Sequence, residues 1–174
     1  MQGGASLVGV DSRTDQAVVA IGLPSAIGMC TLGRDLWVGE PVTGNLVPSR
    51  LVRLDPTTGR VVAGADLPIQ PAVMACGAGR VWLLDRRLTL VSYGASGTSA
   101  TPAGIVSVPG QSEGGLGFTS SLAIAGGEVL IAQALSRSVW VVDPQLESVL
   151  ATAHYQGQPL GVASDGTTAW LVVR

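Results

Sequence analysis

The segment Arg50–Asp85, RLVRLDPTTGRVVAGADLPIQPAVMACGAGRVWLLD, decides the fold of this chain of 174 residues. It contains four short apolar runs separated by turn residues. Pro56 and Gly59 belong to the first turn, because proline presets φ and glycine accepts the positive φ at which a turn ends. Four such runs within 36 residues predict one antiparallel meander of β-strands.

Degenerate copies of this segment recur on both sides of it. Three aspartates open a similar turn after an apolar run, namely Asp11, Asp55 and Asp143. Tryptophan, or leucine in the third copy, ends the same strand pair at spacings of 45, 48 and 40 residues, at Trp37, Trp82, Leu130 and Trp170. Four-stranded propeller blades repeat with about this period, and helical spacing of apolar residues is not sustained anywhere. We therefore predict an all-β propeller of four-stranded antiparallel blades, about four blade equivalents in all, with the tryptophans packed between blades.

Comparison of the copies numbers the strands of a blade from one (innermost) to four. The prediction is a single partial propeller over residues 1–174, with blade fragments at approximately 5–24 (strands three and four), 25–68, 69–109, 119–154 and 158–174 (strands one and two). An exposed blade face of about 330 Å² would cost on the order of 8 kcal/mol. The chain could therefore close as four blades, self-associate with a second copy, or belong to a larger propeller with further blades from a parent chain. We favour the larger propeller.

The repeat has the pattern P-x-x-V/M-A-C/S-G-x-G-R-V-W-L followed by L-V-R-L-D-P-T-T-G-R-V-V. This pattern resembles the bacterial β-propellers of the YVTN and virginiamycin-B-lyase-like (quinoprotein-like) type. Blades of this type serve in lyases, in quinoprotein relatives and in binding modules. The resemblance implies that a lyase would carry a histidine and a metal-binding carboxylate on inner loops. His154 is the one histidine, and we expect it on an outer strand in a surface or packing role.

Charge and cysteine content exclude several classes of protein. The net charge of −2 provides no basic surface for nucleic acid. Cys30 and Cys76 are expected to be small buried residues without a disulfide, because stacked sheets lie about 10 Å apart, beyond the reach of such a bond. The first eleven residues show no signal peptide, and no apolar run of 18 residues is present, so this segment should not insert into a membrane. Localisation stays open, including a parent protein that is exported or membrane-attached.

The irregular loops are the expected place of function. In a propeller, the loops from strand two to three and from strand four to the next strand one share a face, and the resembling families bind ligands there. Polar residues on these loops form the candidate ligand-binding set Glu40, Asn45, Arg86, Glu113 and Gln133. The alternative is that these loops are polar because they are solvated.

The sequence favours a non-catalytic propeller module that binds a protein or a small polar ligand. It would belong to a larger bacterial protein. We expect no catalytic residue, no metal ligand and no cofactor within the chain. The alternative is a propeller enzyme of the virginiamycin-B-lyase or quinoprotein-like type whose catalytic residues lie outside this chain.

Overall fold

The computed structural model describes residues 6–22, 26–40, 49–94, 101–112, 119–145 and 148–174, and all regular elements in these ranges are β-strands. The strands are β1 (Ser6–Asp11), β2 (Gln16–Gly22), β3 (Gly28–Leu32), β4 (Asp35–Glu40), β5 (Arg50–Leu54), β6 (Val61–Asp66), β7 (Pro71–Gly77), β8 (Arg80–Asp85), β9 (Thr89–Gly94), β10 (Thr101–Ser107), β11 (Ser120–Ala125), β12 (Glu128–Gln133), β13 (Ser138–Val142), β14 (Val149–His154), β15 (Pro159–Ser164) and β16 (Ala169–Val173). Nothing in these ranges forms a helix that could cross a lipid bilayer.

The strands form three four-stranded antiparallel sheets and two hairpins. Blade 1 has the order β3-β4-β5-β6, blade 2 the order β7-β8-β9-β10 and blade 3 the order β11-β12-β13-β14. The N-terminal hairpin is β1-β2, and the C-terminal hairpin is β15-β16. The prediction of an all-β chain built from four-stranded antiparallel sheets is therefore confirmed.

Residues 50–85 do not form one meander within a single sheet, because the segment divides between two blades. β5 and β6 belong to blade 1, whereas β7 and β8 belong to blade 2. The last bond of the blade 1 ladder runs from the Leu67 backbone N–H to the Ser49 carbonyl, over 2.7 Å. Pro68 follows and has no N–H to extend the ladder, so the chain leaves the sheet and enters the next one.

The hydrophobic core lies in the junctions between blades. The junction of blades 1 and 2 buries Trp37, Leu51, Leu67, Met74, Val81, Leu83, Val91 and Tyr93. The junction of blades 2 and 3 buries Trp82, Leu84, Leu88, Leu90, Val108, Leu122, Val129, Ile131, Trp140 and Val142. Each large apolar side chain in these clusters stabilises the fold by about 1.5–3 kcal/mol. Trp37 and Trp82 occupy the inter-blade position predicted for them, and Trp140 on β13 adds a core tryptophan that the repeat did not indicate.

The terminal hairpins are less well covered than the blades. Leu7 and Ile21 of the N-terminal hairpin pack against the buried residues Val38, Val52 and Leu54 of blade 1. On the C-terminal hairpin, 54% of Trp170 is exposed, so this tryptophan does not pack between blades within the single chain. In the part of the chain that the structure describes, β16 and β1 lie in separate sheets and do not pair.

Cys30 and Cys76 form a disulfide, which overturns the expectation of two unpaired cysteines. Cys30 lies on β3 and Cys76 on β7, the innermost strands of adjacent blades, and their Cα atoms are 5.6 Å apart. The 10 Å spacing of stacked sheets does not apply here, because blades converge towards the propeller axis. The cysteines also differ in register, since Cys30 lies opposite Trp37 and Cys76 lies opposite Val81.

The repeated aspartates form the predicted repeated turn between strands three and four. A side-chain oxygen of each accepts a backbone N–H two residues later, from Arg13 to Asp11 over 2.8 Å, from Thr57 to Asp55 over 2.8 Å and from Gln145 to Asp143 over 2.7 Å. These contacts are Asx-turns. They place Asp11, Asp55 and Asp143 on one side of the molecule, here called the turn face.

Candidate functional site

The face opposite the turn face carries the candidate site. We call it the loop face and define it by residues 67–70, 85–88, 108–112 and 133–137. In an antiparallel sheet, connections alternate between the two ends of the strands, so two-to-three and four-to-one connections share an end. Two equivalent backbone hydrogen bonds show that blades 2 and 3 have similar structures at this end. The Val108 N–H donates to the Leu88 carbonyl and the Tyr155 N–H donates to the Arg137 carbonyl, both over 2.9 Å.

A groove of about 270 Å³ crosses the loop face between blades 1 and 2. One wall is the segment that leaves β6, and the other is the loop that follows β8. The lining residues are Pro68, Ile69, Gln70, Asp85, Arg86 and Arg87. The side chains of Gln70, Arg86 and Arg87 are exposed, whereas Asp85 is buried. The groove therefore has polar and cationic groups at its rim.

Asp85 and Leu88 fix the shape of the loop that carries the two arginines. One carboxylate oxygen of Asp85 accepts the backbone N–H groups of Arg87 and Thr89, each over 2.8 Å. Leu88 is fully buried and adopts a φ of 62°, a left-handed conformation that costs energy for a leucine. Burial of the Leu88 side chain in the junction of blades 2 and 3 compensates this cost. The loop thus holds Arg86 and Arg87 outward.

Gln133 organises the next part of the loop face. It is fully buried, and its side-chain amide donates to the Gln111 carbonyl over 2.7 Å and accepts the Gln111 N–H over 3.3 Å. The Gln133 amide therefore exchanges two hydrogen bonds with the Gln111 backbone, as two paired residues of an antiparallel ladder do. The adjacent Gly110 lies so close that an added Cβ would meet Leu88 and would come within 2.9 Å of Gln133 Oε1. Residues 108–112 thus connect the arginine loop to the end of β12.

The five predicted site residues have different outcomes. Arg86 lines the groove, and Gln133 lies on the same face but is buried. Glu40 ends β4, is half-buried and lies opposite Arg50 in the ladder. Asn45 and Glu113 lie outside the described residues. The structure thus places Arg86, Gln133 and Glu40 at the same end of their blades, and it adds Gln70 and Arg87 to the groove.

The position after the repeat tryptophan could have identified part of this site. Glu40, Asp85 and Gln133 each lie three residues after Trp37, Trp82 and Leu130, and each is the last residue of strand two. A polar residue at this point ends a largely apolar strand in all three blades. The sequence contains that signal, but it does not distinguish the buried roles of Asp85 and Gln133 from the exposed role of Arg86.

The turn face contains a larger cavity, of about 560 Å³, with mixed charges. Arg53 and Asp35 line it and form an ion pair over 3.5 Å. Asp55 also lines it, but its carboxylate accepts the N–H groups of Thr57 and Thr58, which lower the pKa of Asp55 below 3.8. Because these charged groups already form an ion pair and hydrogen bonds within the protein, this cavity is a weaker candidate for a ligand site than the groove.

His154 lies on β14, the outer strand of blade 3, as predicted. Its Nδ1 is 2.9 Å from the hydroxyl oxygen of Ser138, in the neighbouring strand. Within the described ranges, no three His, Cys, Asp or Glu side chains are grouped so as to hold a metal ion.

Comparison with solved structures identifies the fold. BamB from Moraxella catarrhalis aligns with 95% of this chain at a TM-score of 0.63 and 13% identity. BBS1N, solved in complex with ARL6DN, aligns with 98% of the chain at a TM-score of 0.70 and 16% identity. The β-propeller domain of Cps50 (Swd1) from Myceliophteria thermophila aligns with 97% at a TM-score of 0.71 and 9% identity. The chain has a β-propeller fold.

This chain spans only about half of each matched structure, 49% of BamB, 55% of BBS1N and 57% of Cps50. No protein-family model matches the sequence, and no curated protein matches it significantly. At such low identities the likeness establishes the fold alone.

Proposed function

We propose that this chain is a non-catalytic propeller module that binds an acidic segment of a partner protein in the groove between blades 1 and 2. The observation that carries the proposal is the Asp85-anchored loop, which holds Arg86 and Arg87 at the rim of that groove. On the repeat motif, we further propose that the blades are of the YVTN or virginiamycin-B-lyase-like type and form one partial domain.

The charges of the groove favour a carboxylate ligand. Asp85 is the acidic residue of the lining, and its carboxylate already accepts two backbone N–H groups inside the loop. The exposed rim therefore carries the positive charge of Arg87, next to Arg86, which already has an interaction partner in the structure. A guanidinium group offers paired donors that match the two oxygens of a carboxylate, and such charge-assisted bonds are roughly twice as strong as neutral ones.

The size of the groove favours a segment of a larger partner over an enclosed small molecule. Ligand pockets for small molecules usually measure about 300–1,000 Å³ and bury most of the ligand. At about 270 Å³, this groove suits one or two side chains of a peptide laid across the face. BBS1N, a structural relative, was solved in complex with another protein, ARL6DN, which agrees with protein binding by this fold.

The other predicted residues extend the proposed surface. Glu40 and Asn45 would lie beside the groove on blade 1, and Glu113 would lie beside it on the loop that precedes blade 3. Gln133 takes a positioning role, because both functions of its amide are used by Gln111. The ligand would therefore contact the arginines and the exposed Gln70, while Gln133 holds residues 108–112 in place.

Titration with an array of Asp- and Glu-rich peptides, followed by calorimetry, tests this proposal. We expect binding that weakens as salt is added, because exposed charges are screened. The double variant Arg86→Gln/Arg87→Gln should weaken binding about 100-fold or more, since each of the two charge-assisted bonds contributes about 1.5–3 kcal/mol.

Arg60→Gln is the matched control, because this exposed arginine follows the Asp55 turn on the opposite face. It removes one positive charge without altering the groove. A loss of binding free energy in Arg60→Gln that is half of the loss in the double variant would show that net charge alone sets the effect, because the double variant removes two charges and Arg60→Gln removes one. The absence of binding by any acidic peptide would reject the proposal.

A further inference from the structure

The two terminal hairpins are complementary halves of one blade. Each complete blade pairs strand two with strand three, as in the pairs Trp37–Arg53 and Val38–Val52 of blade 1. The C-terminal hairpin supplies strands one and two, and the N-terminal hairpin supplies strands three and four. In the described ranges, β16 pairs only with β15 and β1 pairs only with β2. β16 and β1 therefore each leave unpaired the edge that strands two and three share in a complete blade, and this edge can accept another strand.

Apolar side chains are exposed along both free edges. On β16, Trp170 is 54% exposed and Val172 is 62% exposed. On β1, Val8 is 47% exposed and Val10 is 59% exposed. Trp37 and Trp82, which occupy the position of Trp170 in blades 1 and 2, are each 1% exposed. The exposure of Trp170 therefore reflects a missing neighbour and not the chemistry of the position.

On the C-terminal hairpin, the glycine equivalent to Gly28 of blade 1 lacks the contact that a neighbouring blade would make with it. In blade 1, Gly28 lies nine residues before Trp37, and an added Cβ there would be 3.0 Å from Cγ of Met74 in blade 2. Gly161 lies nine residues before Trp170, and nothing comes within 4 Å of an added Cβ there. The inter-blade contact at Gly28 is thus absent at Gly161.

The methionine that would make this contact in a second copy is exposed on β3. Met29 lies eight residues before Trp37, as Met74 lies eight residues before Trp82. Met74 is 8% exposed in its junction, whereas Met29 is 58% exposed. Met29 lines an apolar cleft of about 210 Å³ with Leu7, Val8, Gly9, Ile21, Leu36 and Pro56. This cleft is where the next tryptophan of the repeat would pack.

We propose that two copies of this chain close a ring of eight blades, with β16 of one copy pairing antiparallel with β1 of the other. Each copy supplies three complete blades, and the terminal hairpins form two composite blades. Eight blades lie within the range of four to eight that is typical of propellers. The chain spans 49–57% of the matched structures, so two copies have about the length of one complete structure of that kind.

The blade 1 ladder fixes the expected register. Leu7 and Val8 correspond to Leu51 and Val52, because both pairs lie four and three residues before the turn aspartate. Transfer of the blade 1 pairs then sets Trp170 opposite Gly9 and Leu171 opposite Val8. In this arrangement Trp170 would enter the cleft beside Met29, and Met29 would cover Gly161. The contact closes after two copies by twofold symmetry.

The mass of the 174-residue chain in solution tests the proposal. Light scattering and native mass spectrometry should give twice the 17.6 kDa of one chain. Trp170→Arg should raise the dimer dissociation constant about tenfold or more, as is usual for a central tryptophan of an interface. The control Ile105→Arg changes a similarly exposed residue on β10, outside the proposed contact, and should leave the mass unchanged. A wild-type chain that stays monomeric up to its solubility limit would overturn the proposal.

Engineered cysteines distinguish the possible partners of β16, even if Trp170→Arg does not fold. Val8→Cys with Leu171→Cys should yield covalent two-chain rings, whereas Val18→Cys with Leu171→Cys should not, because Val18 lies on β2. A bond formed within a single chain would indicate a four-bladed ring, and a ladder of higher oligomers would indicate an open filament. Either result contradicts the two-copy ring.

Discussion

Cys30 and Cys76 connect the inner strands of blades 1 and 2 across a sequence separation of 46 residues. In the chain-entropy description, a closed loop of this length raises the free energy of the unfolded chain by about 4 kcal/mol at 25 °C, because it lowers the entropy of that chain. The bond also holds the two blades together at the end of the core cluster that contains Trp37 and Met74, since Cys30 and Cys76 pack against this cluster. One covalent contact thus supports a whole blade junction.

We predict that reduction with a phosphine lowers the free energy of unfolding by about 4 kcal/mol, the contribution of the closed loop. Urea unfolding with and without the reductant measures the change. The variant Cys30→Ser should have the lower stability from the start and should not respond to the reductant. An unaltered unfolding midpoint of the wild-type chain after full reduction would contradict the prediction.

Asp55 is the residue whose protonation should loosen a turn. The N–H groups of Thr57 and Thr58 donate to its carboxylate and lower its pKa below 3.8. A lowered pKa in the folded state gives a stabilising contribution that is present above the unfolded-state pKa and disappears as the pH falls through the folded-state pKa. The turn at residues 55–58 should therefore weaken only in acid, below about pH 4.

A carboxyl-detected NMR titration measures this behaviour. We expect a midpoint for Asp55 below 3.8, with the amide signals of Thr57 and Thr58 moving over the same pH range. In Asp55→Asn these amide signals should lose that acid-dependent movement. A midpoint at or above 3.8 would show that the two N–H groups do not hold the carboxylate.

The packing of residues 108–112 requires a residue without a side chain at position 110. A Cβ on Gly110 would meet Leu88 and come within 2.8 Å of the Trp140 ring and 2.9 Å of Gln133 Oε1. We predict that Gly110→Ala destabilises the protein by about 1–3 kcal/mol, because a packed junction must shift to admit the methyl group. Thermal unfolding followed by circular dichroism measures the loss.

Gly94→Ala is the control for this prediction. Gly94 ends β9, and nothing lies within 4 Å of an added Cβ there. Its substitution should change stability by less than about 0.5 kcal/mol. Equal effects of the two substitutions would mean that loss of glycine flexibility, and not crowding at Gly110, sets the result.

At the scale of the whole molecule, the repeat predicted most of the fold. The aspartate turns and the tryptophan spacing predicted four-stranded antiparallel blades, because these features recur at equivalent positions, although blade 2 has no turn aspartate and blade 3 has Leu130 in place of tryptophan. The four runs of residues 50–85, taken alone, resemble one meander, and only comparison with the other copies of the repeat assigns them to two blades. The disulfide was missed because the distance between blades depends on the distance from the axis, which a repeat pattern does not contain.

The candidate site could be predicted only in part. The blade order places Arg86, Gln133 and Glu40 at one end of the sheets, and that much follows from the repeat. Burial separates Gln133 from Arg86, and burial depends on the packing of Gly110 against Leu88, which are not neighbours in sequence. The groove likewise needs Gln70, from the connection between blades 1 and 2, and Arg87, from a loop of blade 2.

The distribution of the four tryptophans gives this chain a built-in optical reporter. Trp37, Trp82 and Trp140 are shielded from water, whereas Trp170 is not. The red edge of the emission spectrum, and the fraction of emission that iodide can quench, should therefore come from a single indole group. Any event that covers the end of β16 would shift the emission to shorter wavelengths without a dye or a label.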